Sequence, residues 1–338
     1  MPMSSPRKLP APLKAVDSAP RLNAYEASTT SDLLSSGRRE IRKFRAADGS
    51  GGEDSVMNSN LPNDWSPADN PYSIALSEAN WWRATVALTV GRMHGDDVPV
   101  GWFSSRQIDA RTLVVALRQL LAAVTLERIA LTDLVMDPAV ITALADAEQV
   151  FLDALPNIKH VRDGLTHFED WARGRGGGPQ KGARKNADPR DVARDFWSFG
   201  YDPAADSVTM GPFTISVSAA VPATNALCDA IYAATRAVDQ RSTAELRHQV
   251  VQALTDATIS CAPPQGPVLV SRGDDMRVWL SLNLSSVPDA EHKDLAERVA
   301  TVMARAGLRL TSSAFPEAQD TAERLVAGEP LRVERNGP

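Results

Sequence analysis

The sequence predicts a mostly α protein with an α+β C-terminal part. The helical stretch is expected to be a four-helix bundle carrying a small β insertion. Three observations lead there. Apolar residues recur at three- and four-residue steps through most of residues 77–241. An alternating, turn-rich stretch interrupts them between Phe196 and Val217. After Ser242, helical and alternating segments mix within about ninety residues, the pattern of an α+β unit.

The 338 residues exceed the usual single-domain size. Three segments are expected: a disordered tail over 1–71, a helical bundle with a β-hairpin insertion over 72–241, and a small α+β domain over 243–335. The tail lacks sustained periodicity and is rich in Ser, Pro, Gly, Asn and charge. Such a segment cannot bury enough apolar surface to offset its chain entropy. Within it, Arg38-Arg39-Glu40-Ile41-Arg42-Lys43-Phe44-Arg45 is either a docking island for RNA or an acidic surface, or a solvated charge run.

The first helix is expected from an N-cap at Ser77 to a stop at Gly95, with Trp81, Thr85, Leu88 and Arg92 in step. Trp81 and Trp82 read as core, with base stacking as the alternative. A second helix begins near Ser105 and presents Leu113, Leu117, Leu120, Leu121 and Val124. A third starts at Pro138 and carries a stripe from Val140 through Leu144, Phe151, Leu155, Ile158, Val161, Leu165 and Phe168 to Ala172, kinked at Pro156. Arg173-Gly174-Arg175-Gly176-Gly177-Gly178-Pro179 ends it, and 174–190 read as a flexible basic loop. A short hairpin or meander at 199–215 precedes a fourth helix containing Ala220, Leu227, Ile231 and Val238. After Ser242 the chain is expected to restart: a helix from Ala244, a hairpin of Val268–Ser271 and Arg277–Leu284, a helix over His292–Ala306, a strand at Leu308–Thr311 and a short helix at Glu317–Ala327.

The formal net charge of −6 gives no global basic field, so any nucleic-acid contact must be local. Two cysteines, Cys228 and Cys261, without paired spacing exclude a disulfide scaffold and a four-cysteine zinc site. Cys228 lies on an apolar helical face and reads as a packed thiol. Met1 to Lys14 carries no apolar signal core, and no window is apolar enough to span a bilayer. These readings place the protein in the cytoplasm, away from membranes. No cofactor is expected, since P-loop, dinucleotide, HExxH and GxSxG patterns are all absent from the sequence.

The chemistry concentrates in His160-Val161-Arg162-Asp163-Gly164-Leu165-Thr166-His167-Phe168-Glu169. On a regular helix Asp163 and His167 lie about 40° apart, one turn from each other, whereas Arg162 stands about 140° from His167. Histidine titrates near neutrality and suits proton transfer at an RNA 2′-hydroxyl or leaving oxygen. The arginine fork suits the phosphate oxygens. The residues read as His167 for acid/base work, Arg162 as phosphate clamp and Asp163 as the group orienting His167. Their ordinary alternative is a solvated polar edge formed by His160, Asp163, His167 and Asp170. His160 and His167 are separated by about 10.5 Å of helix rise, too far to share a metal ion without other ligands, so no metal is assigned. Arg173, Arg175, Lys181, Arg184 and Lys185, with Arg190, read either as charges that hold a nucleic-acid backbone or as the ordinary charges of a soluble Gly-rich loop.

Arg162, four intervening residues and His167, on the penultimate long helix of a four-helix bundle, resemble the HEPN domains over residues 72–241. The resemblance implies metal-independent RNA cleavage at a homodimer cleft, in a stress or phage-defence setting. Asp163 stands where asparagine is frequent in that family. From another class, the chain reads as a non-catalytic helical adaptor that binds a protein partner through its C-terminal α+β domain.

Overall fold

The computed structural model describes residues 66–261, 266–273, 275–312 and 320–336. Residues 1–65 of the predicted tail, with its basic island at 38–45, fall outside them; its last residues hold a 3-10 turn at Pro67–Asp69 and, at Pro71, the start of the first helix. The described chain is mostly helical, with an α+β C-terminal part.

Helix α1, Pro71–Met93, opens on a first-turn proline, which needs no hydrogen-bond partner. It packs against α2, Ser105–Asp133, and against α8, Ala220–Asp256. The buried face of α1 is Ala75, Ala79, Val86, Val90 and Met93, which corrects the expected stripe. Trp81 and Leu88 are exposed instead, so Trp81 is not a core residue. The reason is close approach. Cys228 Sγ of α8 lies 3.5 Å from the Ala79 carbonyl, and Arg83 Nε donates to Asn225 Oδ1 at 2.8 Å. Small residues let the backbones meet where tryptophan would hold them apart.

Between α1 and α2 a two-stranded hairpin, β1 (Pro99–Val100) and β2 (Phe103–Ser104), was not legible in the sequence. Helix α2 buries Leu113, Leu117, Leu120, Leu121 and Val124, the face its spacing predicts.

The expected third helix is divided. Helix α3 is Pro138–Ala154, α4 is Ile158–Thr166 and α5 is Phe168–Trp171. Pro156 lacks a donor, and Asn157 adopts φ +72°, a left-handed conformation asparagine tolerates, so the chain breaks rather than kinks. Phe168 is exposed, a second departure from the predicted stripe. Residues 174–190 are not a featureless loop: they hold α6 (Gly178–Ala183) and the start of α7 (Pro189–Phe196). Where a hairpin or meander was expected stands a three-stranded antiparallel sheet of β3 (Phe199–Asp202), β4 (Ser207–Met210) and β5 (Phe213–Ser216), one strand more than a hairpin.

Helix α8 runs unbroken through residue 242, where a restart was expected. Its first part joins an apolar cluster shared with α1–α4; Val250 and Leu254 join a second cluster over the C-terminal sheet. Where neither core covers it, polar contacts hold it. Arg241 Nη1 donates to the Leu134 and Val135 carbonyls at 2.8 and 2.9 Å. That sheet has the order β6-β7-β9-β8, with β6 Val268–Arg272, β7 Val278–Leu282, β8 Leu308–Thr311 and β9 Leu331–Arg335, all antiparallel. Helices α9 (His292–Arg305) and α10 (Thr321–Val326) contribute Leu295, Val299, Met303 and Leu325 to its core.

Candidate functional site

Helix α4 is the element that presents Arg162 and Asp163. Its inner face, Ile158, Val161 and Gly164, is buried. At Gly164 a Cβ would fall 2.7 Å from Met210 and 3.2 Å from Trp171, so only glycine allows α4 to seat this closely on β4. Burial of that face turns the neighbouring residues outward.

Arg162 enters a recess of about 270 Å³ lined by Val115, Arg118, Gln119, Ala122 and Thr166. No carboxylate lines it. Arg118 comes from α2 and makes no hydrogen bond or ion pair to any described residue, and the Nε atoms of both arginines are buried without partners. Arg162 Nη1 pairs with Asp163 Oδ1 at 3.1 Å, both side chains being about a quarter exposed.

His167 stands at the junction of α4 and α5, with φ −110° and ψ 41°. Its backbone N–H still donates to the Asp163 carbonyl at 2.9 Å, preserving the one-turn relation. Its exposed ring has no hydrogen-bond partner among the described residues and opens on a second recess of about 340 Å³. Asp163, Asp170, Trp171 and Gly176 to Pro179 complete that recess. One copy of the chain therefore puts Arg162 and His167 into two different concavities, with Asp163 belonging to the second while ion-paired to the owner of the first. No side-chain hydrogen bond joins Asp163 to His167, so Asp163 does not orient the imidazole as expected. His160 leaves the predicted polar stripe and stacks on Phe213, ring centroids 4.7 Å apart.

The floor of the second recess is built, not loose. Gln180 is fully buried: its Oε1 accepts from the Gly176 N–H at 2.8 Å, and its Nε2 donates to the Trp171 carbonyl at 3.0 Å. Gly174 adopts φ +65° with a would-be Cβ only 1.9 Å from the Pro189 carbonyl oxygen, which locks α5 against the start of α7. Of the predicted basic residues, Arg184 Nη2 donates to the Gly176 carbonyl at 3.2 Å and so braces this rim. Arg173, Arg175, Lys181, Lys185 and Arg190 are exposed.

The residues missed from the sequence are Arg118, Gln119 and Thr166. A signal for Arg118 existed: a guanidinium inside the apolar run Leu113–Leu121. Cys228 is buried, and desolvation pushes its thiol up to about 11, as expected of a packed, inert cysteine. Among the described residues, no three His, Cys, Asp or Glu side chains are placed to hold a metal ion, and no helix is long and apolar enough to cross a membrane. No family model, curated protein or solved structure matches the chain.

Proposed function

We propose that the chain is an HEPN-like, metal-independent endoribonuclease that acts as a homodimer in the cytoplasm, its long helices forming a four-helix bundle. Stress or phage defence is the setting that the resemblance implies. The observation that carries the reading is the acid-free recess in which Arg118 and Arg162 stand together, next to the recess of an unpartnered His167. Two guanidiniums can brace the non-bridging oxygens of one phosphate and the charge that builds on them. The 2′-hydroxyl attacks phosphorus, the bond to the 5′ oxygen breaks, and a 2′,3′-cyclic phosphate and a 5′-hydroxyl form. One imidazole removes the 2′ proton and another protonates the leaving oxygen.

Because one copy separates Arg162 from His167, the second imidazole has to come from a second copy. Val115 and Ala122, exposed on the rim of the Arg162 recess, offer the apolar edge over which that copy would lie. The expected result is cleavage of labelled RNA in EDTA by the wild type and its loss in His167→Ala. Wild-type chain that is dimeric by light scattering and leaves RNA intact would overturn the proposal.

The second reading is a non-catalytic adaptor. Separation of Arg162 from His167 favours it. Its proposed docking part does not: among the described residues every large, exposed apolar side chain lies between Trp81 and Tyr232, none in the C-terminal sheet region.

A further inference from the structure

We infer that the β1–β2 hairpin and the first turns of α2 form a stacking platform for unpaired bases of an RNA strand. The inference rests on the RNA reading above and extends it to how the strand is held. Trp102, on the two-residue turn, is 99% exposed, and Phe103, which opens β2, is 61% exposed. Large aromatic side chains are seldom left so bare unless they meet a partner.

The turn holding them is pinned. Ser105 N–H donates to the Val98 carbonyl at 2.9 Å, the Val98 N–H donates to Ser105 Oγ at 2.9 Å, and Ser104 Oγ donates to Asp97 Oδ1 at 2.7 Å. A fixed turn presents its rings with little entropy left to lose on binding.

Phe103 also lines a recess of about 290 Å³ with Gln107, Ile108, Arg111 and Phe199. The Arg111 guanidinium lies over the Phe199 ring, 5.0 Å from its centroid. The recess thus offers aromatic faces, a cation already oriented, and an amide that both donates and accepts at a base edge.

Charge selects the occupant. The carboxylates of α2 before Asp133 are Asp109 and Glu127, both buried, Asp109 being held by Arg92. Asp96 and Asp97 precede the hairpin, and Asp97 is engaged by Ser104 and Ser105. Along α2 Arg111 is exposed and, two turns or about 10.5 Å further on, Arg118 is half-buried, with no acid between them. Rings interleaved with cations fit a polyanion bearing π faces, and the row leads toward the Arg162 recess.

The test uses full-length chain and a labelled 2′-O-methyl RNA oligonucleotide, which lacks the attacking hydroxyl, against an abasic strand of equal length. Wild type should bind the base-bearing strand about tenfold more tightly than the abasic one, and the double variant Trp102→Ala/Phe103→Ala should lose that preference. Arg111→Ala should weaken both strands, Trp102→Tyr/Phe103→Tyr should retain binding, and Trp81→Ala should bind as wild type.

Equal affinity for both strands, no binding by wild type, or a double variant that loses self-association while binding RNA normally would each overturn the platform. Base-dependent binding of the 2′-O-methyl strand with no cleavage of unmodified RNA would sustain the platform and sink the nuclease. Cleavage of unmodified RNA, with unaltered binding of the 2′-O-methyl strand by the double variant, would do the reverse.

Discussion

The helical region and the C-terminal sheet region solve the same packing problem with different leftovers. Among the described C-terminal residues the second core is apolar, from Val250 and Val268 to Leu331 and Val333, and charges pair outside it, as in Arg309–Glu334 and the more buried Arg324–Glu329. In the helical region buried side-chain atoms remain without partners: the Nε atoms of Arg106, Arg118 and Arg162, one oxygen of Glu127 and the hydroxyl of Thr224. No such atom occurs in the described C-terminal residues. A buried polar atom without a partner costs free energy, so natural structures retain few. Three of the five are arginine atoms, and two of those arginines meet in one recess. The two regions thus differ in how fully their buried polar atoms are satisfied.

The comparison can be broken at several points. The largest effect is expected at His167→Ala, which should reduce RNA cleavage at least about a hundredfold. Its melting temperature should stay near wild type, because the ring is exposed and unbonded. Loss of stability without a specific loss of activity would reassign His167 to structure.

Leu280→Ala, in the apolar C-terminal core, should lower unfolding free energy by about 2–5 kcal/mol in a denaturant titration. A loss under about 1 kcal/mol would show that this core does not carry the stability assigned to it.

Glu127 tests the helical side. It is fully buried, accepts a hydrogen bond from Thr235 Oγ1 at 3.2 Å, and burial raises its carboxyl from 4.5 to about 7, with Asp239 adding to the rise. Between those two values the unfolded chain has lost this proton and the folded chain keeps it. Glu127 therefore makes stability fall as pH rises from about 4.5 to 7, after which its contribution is constant. Glu127→Gln, which stays neutral, should flatten that slope and be more stable than wild type near pH 8, by on the order of 2 kcal/mol. Parallel melting-temperature profiles of the two proteins would refute this.

The smallest effect is expected from Arg309→Ala. Its partner Glu334 also holds Arg332 at 3.1 Å, and the pair lies at the surface, so less than about 1 kcal/mol should be lost.

Local patterns carried much of the fold. Pro138 marks the start of α3, the alternation at 199–216 became a three-stranded sheet, and the hairpin of β6 and β7 formed where its turn residues indicated. Errors arose where the deciding contact lay far along the chain. On α1 the sequence shows two apolar faces, and only the approach of α8, about 150 residues on, selects the one built from alanine. At Arg241-Ser242-Thr243 the apolar stripe lapses, which reads as a restart. In the fold α8 bridges two cores there, and polar contacts from Leu134 and Val135 sustain it.

Taken alone, the sequence determined the helix and strand types, most turn positions, and a short segment that places an arginine and a histidine five residues apart. These follow from spacing and backbone preference, which act over a few residues. Only the tertiary structure decided that Arg162 faces Arg118 and that His167, past the end of α4, opens on a separate recess with Asp163. The first joins residues tens of positions apart and the second needs the chain to break after α4, and the burial of Gly164 against Met210 sets the rotation of α4 on which both depend.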